Sequence, residues 1–246
     1  MMNTELLMQL DSPTITNKYN LKIVSFLLAI FFISSVHADV PTIIFPTVET
    51  EPVISPEDAA DDPAIWINNA NPKKSLIFGT DKKSGIYVYD LKGNQLSYSN
   101  LGKINNIDLR SVKGKLHIVT SNRTMSTLDY WIFDEQDLYK YFKSTPSNSF
   151  SESMTHHHLV TGMSVYGVCM GFINNGLKAV ITEEEGKQVQ QWDLNEQIKT
   201  HVIDITQFEK GKPVEGNEAE GCVYDDENDT VMLATILTMV KMKNQS

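Results

Sequence analysis

Leu76-Ile77-Phe78-Gly79-Thr80 is an apolar run ending in threonine, and the chain repeats it. Leu116-His117-Ile118-Val119-Thr120, Lys178-Ala179-Val180-Ile181-Thr182 and Val231-Met232-Leu233-Ala234-Thr235 follow the same plan. Short runs of this kind, bounded by Gly, Asn, Asp and Ser, read as strands. A second element, an aromatic residue followed by aspartate, recurs at Tyr89-Asp90, Phe133-Asp134 and Trp192-Asp193. Two of these run into polar hairpin turns, Lys92-Gly93-Asn94 and Asn195-Glu196-Gln197. The interval between repeats is roughly 40 to 60 residues, the scale of one four-stranded propeller blade. A sandwich or an open barrel also spaces its strands evenly, so these residues establish an all-β fold before they establish an architecture. A helical period surfaces only briefly, over Glu135 to Phe142.

The ends of the chain read differently. Lys18 and Lys22 precede an apolar run from Ile23 to Val36, and Val36-His37-Ala38 places small residues for cleavage before Asp39. Residues 1–38 are therefore expected to be a signal peptide, with a signal anchor as the alternative. The run is shorter than the ~20 residues of a spanning helix. Residues 39–246 are expected to form one domain, secreted or periplasmic. Near the other end, Glu215 to Asp229 is acidic and turn-rich, and Thr230 to Met242 is apolar and methionine-rich. The last residues stop without completing a further hairpin, so the domain is expected to be incomplete at its C-terminus.

The 246 residues carry a formal net charge of −10. That balance argues against a nucleic-acid or anionic-membrane partner, either of which calls for a basic face. It fits cation binding or a solubilising surface. The 2 cysteines, Cys169 and Cys222, can form a disulfide in an oxidising compartment, and spacing leaves that open. No CxxC pattern marks a structural zinc site. Ser144 to His158 reads as a polar loop. His156-His157-His158 offers imidazoles, but on a strand successive side chains alternate faces, so the three cannot share one ion. The segment is read as a solvated loop.

The chemistry concentrates in Asp58-Ala59-Ala60-Asp61-Asp62-Pro63-Ala64-Ile65-Trp66 and Thr80-Asp81-Lys82-Lys83-Ser84-Gly85. Carboxylates at that density repel one another unless a cation joins them, and hard cations such as calcium prefer oxygen ligands. Paired lysines before a glycine turn can hold a phosphate. Taken singly, Asp61-Asp62-Pro63 also reads as a turn, Lys82-Lys83 as a solvated hairpin edge, and Tyr166 as core.

In order, Glu49-Thr50-Glu51-Pro52-Val53, the two stretches above, Asn105-Asn106-Ile107-Asp108-Leu109-Arg110, Ser121-Asn122-Arg123, Val165-Tyr166-Gly167 and Glu220-Gly221 resemble the β-propeller phytases of the 3-phytase type. The resemblance covers roughly residues 47 to 229. It implies a six-bladed propeller, of which this chain covers roughly four blades. It implies calcium-dependent hydrolysis of phytate (inositol hexakisphosphate) by a metal-activated water, with calcium–phytate as the substrate. Carried over by motif, Glu49, Asp61, Asp62, Asn106, Asp108, Tyr166 and Glu220 are expected to ligate calcium. Lys82, Lys83 and Arg123 are expected to bind substrate phosphate, and Lys82, Arg123 and Tyr166 to act in catalysis. One departure stands out. Where the family carries a further lysine, near residues 183–187, this chain has Glu183-Glu184-Glu185-Gly186-Lys187. A non-catalytic propeller that binds calcium or inositol phosphates is therefore the alternative, and a calcium-dependent lactonase-like hydrolase the weaker one.

Overall fold

The computed structural model describes residues 44–151, 153, 155–173, 176–205, 219–235 and 239–243. The proposed signal peptide lies outside them. Every described strand belongs to the unit Pro46–Ser246.

The strands fall into four antiparallel sheets in chain order. The first holds β1 (Ala60–Trp66), β2 (Leu76–Asp81), β3 (Gly85–Tyr89) and β4 (Gln95–Asn100). The second holds β5 (Ile104–Val112), β6 (Lys115–Asn122), β7 (Thr127–Asp134) and β8 (His156–Val160). The third holds β9 (Val165–Ile173), β10 (Gly176–Glu183), β11 (Gln188–Asp193) and β12 (Ile198–Asp204). The fourth holds β13 (Ala219–Asp225), β14 (Thr230–Thr235) and β15 (Met239–Lys243). Within each sheet the strands pair in sequence order. The first strands of successive sheets, β1, β5, β9 and β13, lie against one another. Four up-and-down sheets fanned about their first strands are the blades of a β-propeller.

Side-chain alternation explains why the strands are apolar on both faces. Each central blade must fill a core on either side. In β10, Leu177, Ala179 and Ile181 enter the core shared with the second blade, while Val180 enters the core shared with the fourth. In β6, Leu116 and Ile118 face the first blade and Val119 faces the third. The core between blades one and two is the most aromatic. Phe78 meets Phe142 and Phe150 edge-on, and Trp131 meets Phe150 at 5.2 Å. Phe142 and Leu138 come from a short helix, α1 (Leu138–Ser144), inserted between β7 and β8. This is the helical hint of the sequence, displaced by a few residues. Burying such a side chain stabilises the fold by about 1.5–3 kcal/mol.

Two sequence expectations change. The aromatic–aspartate pairs do end third strands, β3, β7 and β11, and Asp90 and Asp193 accept turn N–H groups two residues on. The repeated threonine is misaligned in blade two, however. There Ser121, not Thr120, takes the position of Thr80 and Thr182, because the hydroxyl that meets the β5 bulge is that of Ser121. The polar loop also ends early. His156 to Val160 form β8, the outer strand of blade two, paired along β7. Near the C-terminus, β14 and β15 form an antiparallel pair within the apolar stretch.

The cysteines resolve as a disulfide. Cys169 on β9 and Cys222 on β13 are bonded, with Cα atoms 5.5 Å apart, and the bond joins the first strands of blades three and four. Among the described residues, no helix is long and apolar enough to cross a membrane.

Candidate functional site

Each first strand is irregular at its start, and the irregularity makes the site. The pairing of β1 with β2 skips between Ala60 and Pro63, leaving Asp61-Asp62 out of register. The pairing of β5 with β6 skips between Ile104 and Ile107, at Asn105-Asn106. The pairing of β9 with β10 skips at Tyr166-Gly167, and that of β13 with β14 skips at Glu220. A bulge re-aims side chains that a regular strand would send into the cores. The dipeptides singled out in the sequence are therefore one structural position repeated in four blades.

In blades one to three a hydroxyl from the second strand clasps the bulge. The N–H of Asp62 donates to Thr80 Oγ1 at 2.9 Å, that of Asn106 to Ser121 Oγ at 3.0 Å, and that of Gly167 to Thr182 Oγ1 at 2.8 Å. The same hydroxyls reach the next blade. Thr80 donates to the carbonyl of Asn105 at 2.6 Å, and Ser121 donates to the carbonyl of Tyr166. Gly167 is required by close approach, since a Cβ there would stand 2.6 Å from the carbonyl oxygen of Glu220.

Two residues past each hydroxyl lies a charged side chain: Lys82, Arg123 and Glu184. Their equivalence is set by the backbone, because their N–H groups donate to Ala59, Lys103 and Ser164, each just ahead of its bulge. Lys82 Nζ is 2.8 Å from Asp58 Oδ2 and 3.4 Å from Asp61 Oδ1. The hydrogen bond to Asp58 is the main cause that raises its pKa, so it stays a cation. Arg123 Nη2 is paired with Glu184 Oε1, and the guanidinium lies 5.4 Å from the centre of the Tyr166 ring. Its Nε is buried with no hydrogen-bond partner. Burial raises the Tyr166 phenol; the Glu220 and Asp61 carboxylates raise it further, and Arg123 and Lys82 oppose them. Asp61, Lys82, Arg123 and Glu220 thus act on the Tyr166 phenol, and all four blades contribute.

Glu49, Asp61 and Asp62 line one cleft of about 880 Å³, with Glu51 and Glu57 also on its wall. Among the described residues, no Lys or Arg lines it. Asp62 Oδ2 accepts from the Asn106 amide and from the Ile107 N–H, both at 3.0 Å. Burial is the chief cause that pushes its carboxyl above the usual 3.8, and the nearby carboxylates of Asp61 and Asp108 add to it. A wall of oxygen donors with an acid this reluctant to ionise alone suits a hard divalent cation. The cleft's outer wall is the extended segment before β1. Glu51 N–H bonds to Gly93 O at 2.9 Å, and Ile54 N–H to the Tyr87 hydroxyl at 2.9 Å. Gly93 sits at φ +82, packed against the Glu49 carbonyl where no Cβ fits.

Two further expected site residues, Asp108 and Lys83, are engaged by contacts of their own. Asp108 accepts from the N–H of Leu109 at 2.7 Å and of Met170 at 2.8 Å, and from Arg110 at 3.0 Å. Its carboxylate ties β5 to β9, and Arg110 reaches on to Asp226 at 3.1 Å. Lys83 bonds the Pro56 carbonyl at 2.6 Å and lies 3.6 Å from Glu57. The reading of the sequence gave no role to Asp58 or Glu184. Aligning hydroxyl-x-charge across blades, as in Thr80-x-Lys82, Ser121-x-Arg123 and Thr182-x-Glu184, was the signal for the latter.

The chain is similar to known proteins. The 3-phytase of Bacillus subtilis (strain 168) is 34% identical over 197 residues, 76% of this chain and 48% of that protein. This chain spans about half the length of that relative. Solved structures similar in shape include the nidogen/laminin complex (TM-score 0.48, 12% identity, 75% of this chain and 60% of that one). The C-terminal WD40 domain of Sif2 is another (TM-score 0.43, 10% identity, 72% and 44%). Both are distant likenesses, and the fold rests on the strand order given above. The family model described as Phytase matches residues 14–240, and with that match the chain belongs to the phytase family.

Proposed function

We propose that this protein hydrolyses phosphomonoesters of phytate in a calcium-dependent reaction, as a 3-phytase-type enzyme working outside the cytoplasm. The observation that carries the reading is a juxtaposition. A cleft walled by Glu49, Asp61 and Asp62 meets the cation Lys82 through Asp61, and Arg123 lies over the ring of Tyr166, whose phenol Asp61 and Lys82 also influence. An acidic wall alone would repel a polyphosphorylated substrate, and two cations alone would bind phosphate without activating water. The Cys169–Cys222 disulfide supports export, since such bonds persist in oxidising compartments.

Calcium held by Glu49, Asp61, Asp62, Tyr166 and Glu220 would supply charge neutralisation and Lewis acidity toward the attacking water. Lys82 holds a phosphoryl oxygen once the substrate displaces Asp58, its exposed partner. Arg123 offers two further N–H donors to the charge that develops on the phosphoryl group. The Tyr166 ring supports that guanidinium from one side. Asn106 keeps Asp62 turned toward the cleft.

The second reading is a propeller that binds calcium or inositol phosphates without turnover. The pairing of Arg123 with Glu184 favours it, because that contact occupies one of the two phosphate-facing cations. A lactonase-like activity is the weaker reading, as a lactone has no phosphate for Lys82 and Arg123 to hold. Phosphate release from calcium–phytate by the full chain, with and without a chelator, decides among these. Chelator-sensitive release that Lys82→Ala abolishes is expected. Calcium-dependent binding without release would establish the second reading.

A further inference from the structure

The histidine triplet, left as a solvated segment by the sequence, is built into blade two in an ordered way. On β8, His156 and His158 point to one face and His157 to the other, where it stacks on Tyr130. His158 is the register partner of Asp129 on β7, and its Nδ1 is 2.7 Å from Asp129 Oδ1. His156 pairs with Trp131 and lies flat on its ring, centroids 4.3 Å apart. The ligand-capable atoms of Asp129, His156 and His158 all lie within 4.8 Å of one another.

Three features distinguish this trio from ordinary surface histidines. Asp129 is fully buried, and its carboxylate is held by Thr127 Oγ1 at 2.6 Å and the Asn122 amide at 2.9 Å. The His156 ring is fixed by its stack on Trp131, and its Nε2 is buried with no hydrogen-bond partner. A buried imidazole nitrogen without a partner costs free energy unless something binds it. The partners of Asp129 are the oriented outer contacts that a metal-binding carboxylate needs.

We propose that Asp129, His156 and His158 bind a borderline divalent transition metal such as zinc, at a site separate from the acidic cleft. Two imidazoles and one carboxylate leave one position of a tetrahedral ion open to water or a further ligand. The same nitrogen-rich set suits calcium poorly, since calcium takes oxygen ligands. His-x-His on an edge strand, facing a buried cross-strand aspartate, supplies the ligands without distorting the sheet.

Cobalt(II) is the probe, because its visible absorption reports tetrahedral coordination. The chelator-treated full chain is titrated with cobalt in excess calcium, and zinc is then added in competition. One cobalt per chain, displaced by zinc and not by calcium, is expected. Its affinity should fall at least about 10-fold in His158→Gln and in His156→Ala, and stay unchanged in His157→Ala and in Asp62→Asn. Equal cobalt binding by wild type and His158→Gln would overturn the proposal, as would loss of the site in His157→Ala. His158 is half-exposed, so the His158→Gln variant decides the matter if His156→Ala fails to fold.

Discussion

Arg123 and Glu184 form an ion pair across blades two and three, and each stands at the same backbone position of its blade. Blade one has Lys82 there. Two blades thus present a cation to the site and the third presents an anion that takes up one of those cations. Replacing Glu184 by Gln should release Arg123 for phosphate. A gain of about 1 kcal/mol in substrate binding, roughly fivefold in KM, is expected in a phosphate-release assay. Glu184→Lys should strengthen the effect by adding a third cation. A higher KM in Glu184→Gln would show instead that the pair positions Arg123.

Lys82 has a direct test. Its partners Asp58 and Asp61 keep it protonated, so in the proposed reaction it would place charge at the phosphoryl oxygens. Lys82→Ala should lower turnover ~100-fold or more, by analogy with loss of one transition-state donor, with little change in thermal stability.

Gly93 tests whether the segment before β1 matters to the cleft. Gly93→Ala must strain a φ of +82 and push back the Glu49 backbone. We expect weaker calcium binding, read by calorimetry, with the propeller still folded. Unchanged affinity would remove Glu49 from the ligand set.

The disulfide closes a 53-residue separation between β9 and β13. The Cys169→Ser/Cys222→Ser variant should lose roughly 2–4 kcal/mol in denaturant unfolding.

His117 gives a pH dependence. Burial lowers its pKa below 6.5, against a smaller upward pull from Glu135. Below pH 6.5 the unfolded chain binds a proton there that the folded chain does not. Stability contributed by this residue is therefore present above pH 6.5 and lost as pH falls from there through the lower folded-state pKa. His117→Gln should flatten the fall of Tm between pH 7 and 5.

The β class was legible because strands packed on both faces are apolar in short, punctuated runs. The dipeptides Asp61-Asp62 and Asn105-Asn106 were legible as polar interruptions of such runs. That they occupy one repeated bulge was not, since a bulge shows only in the pairing with the next strand. Ser121 was missed for a related reason. Serine and threonine serve equally as the hydroxyl, so a search for threonine settled on Thr120, whose hydroxyl is buried without a partner. β8 was hidden by its histidines, which are poor strand signals until Trp131 and Asp129 lie opposite.

The hydroxyl clasp sets how this molecule can diverge. Asp62, Asn106 and Tyr166 are spaced by hydrogen bonds in which Thr80 and Ser121 each accept from an N–H of their own blade and donate to a carbonyl of the next. Those bonds need a small alcohol and two main-chain groups, and no particular neighbour in the cores. The interblade cores can therefore exchange one apolar residue for another over long descent while the spacing of the site persists. A lineage of such propellers would keep a few scattered hydroxyls and bulges as its heritable signature, and let most of the rest of its sequence wander.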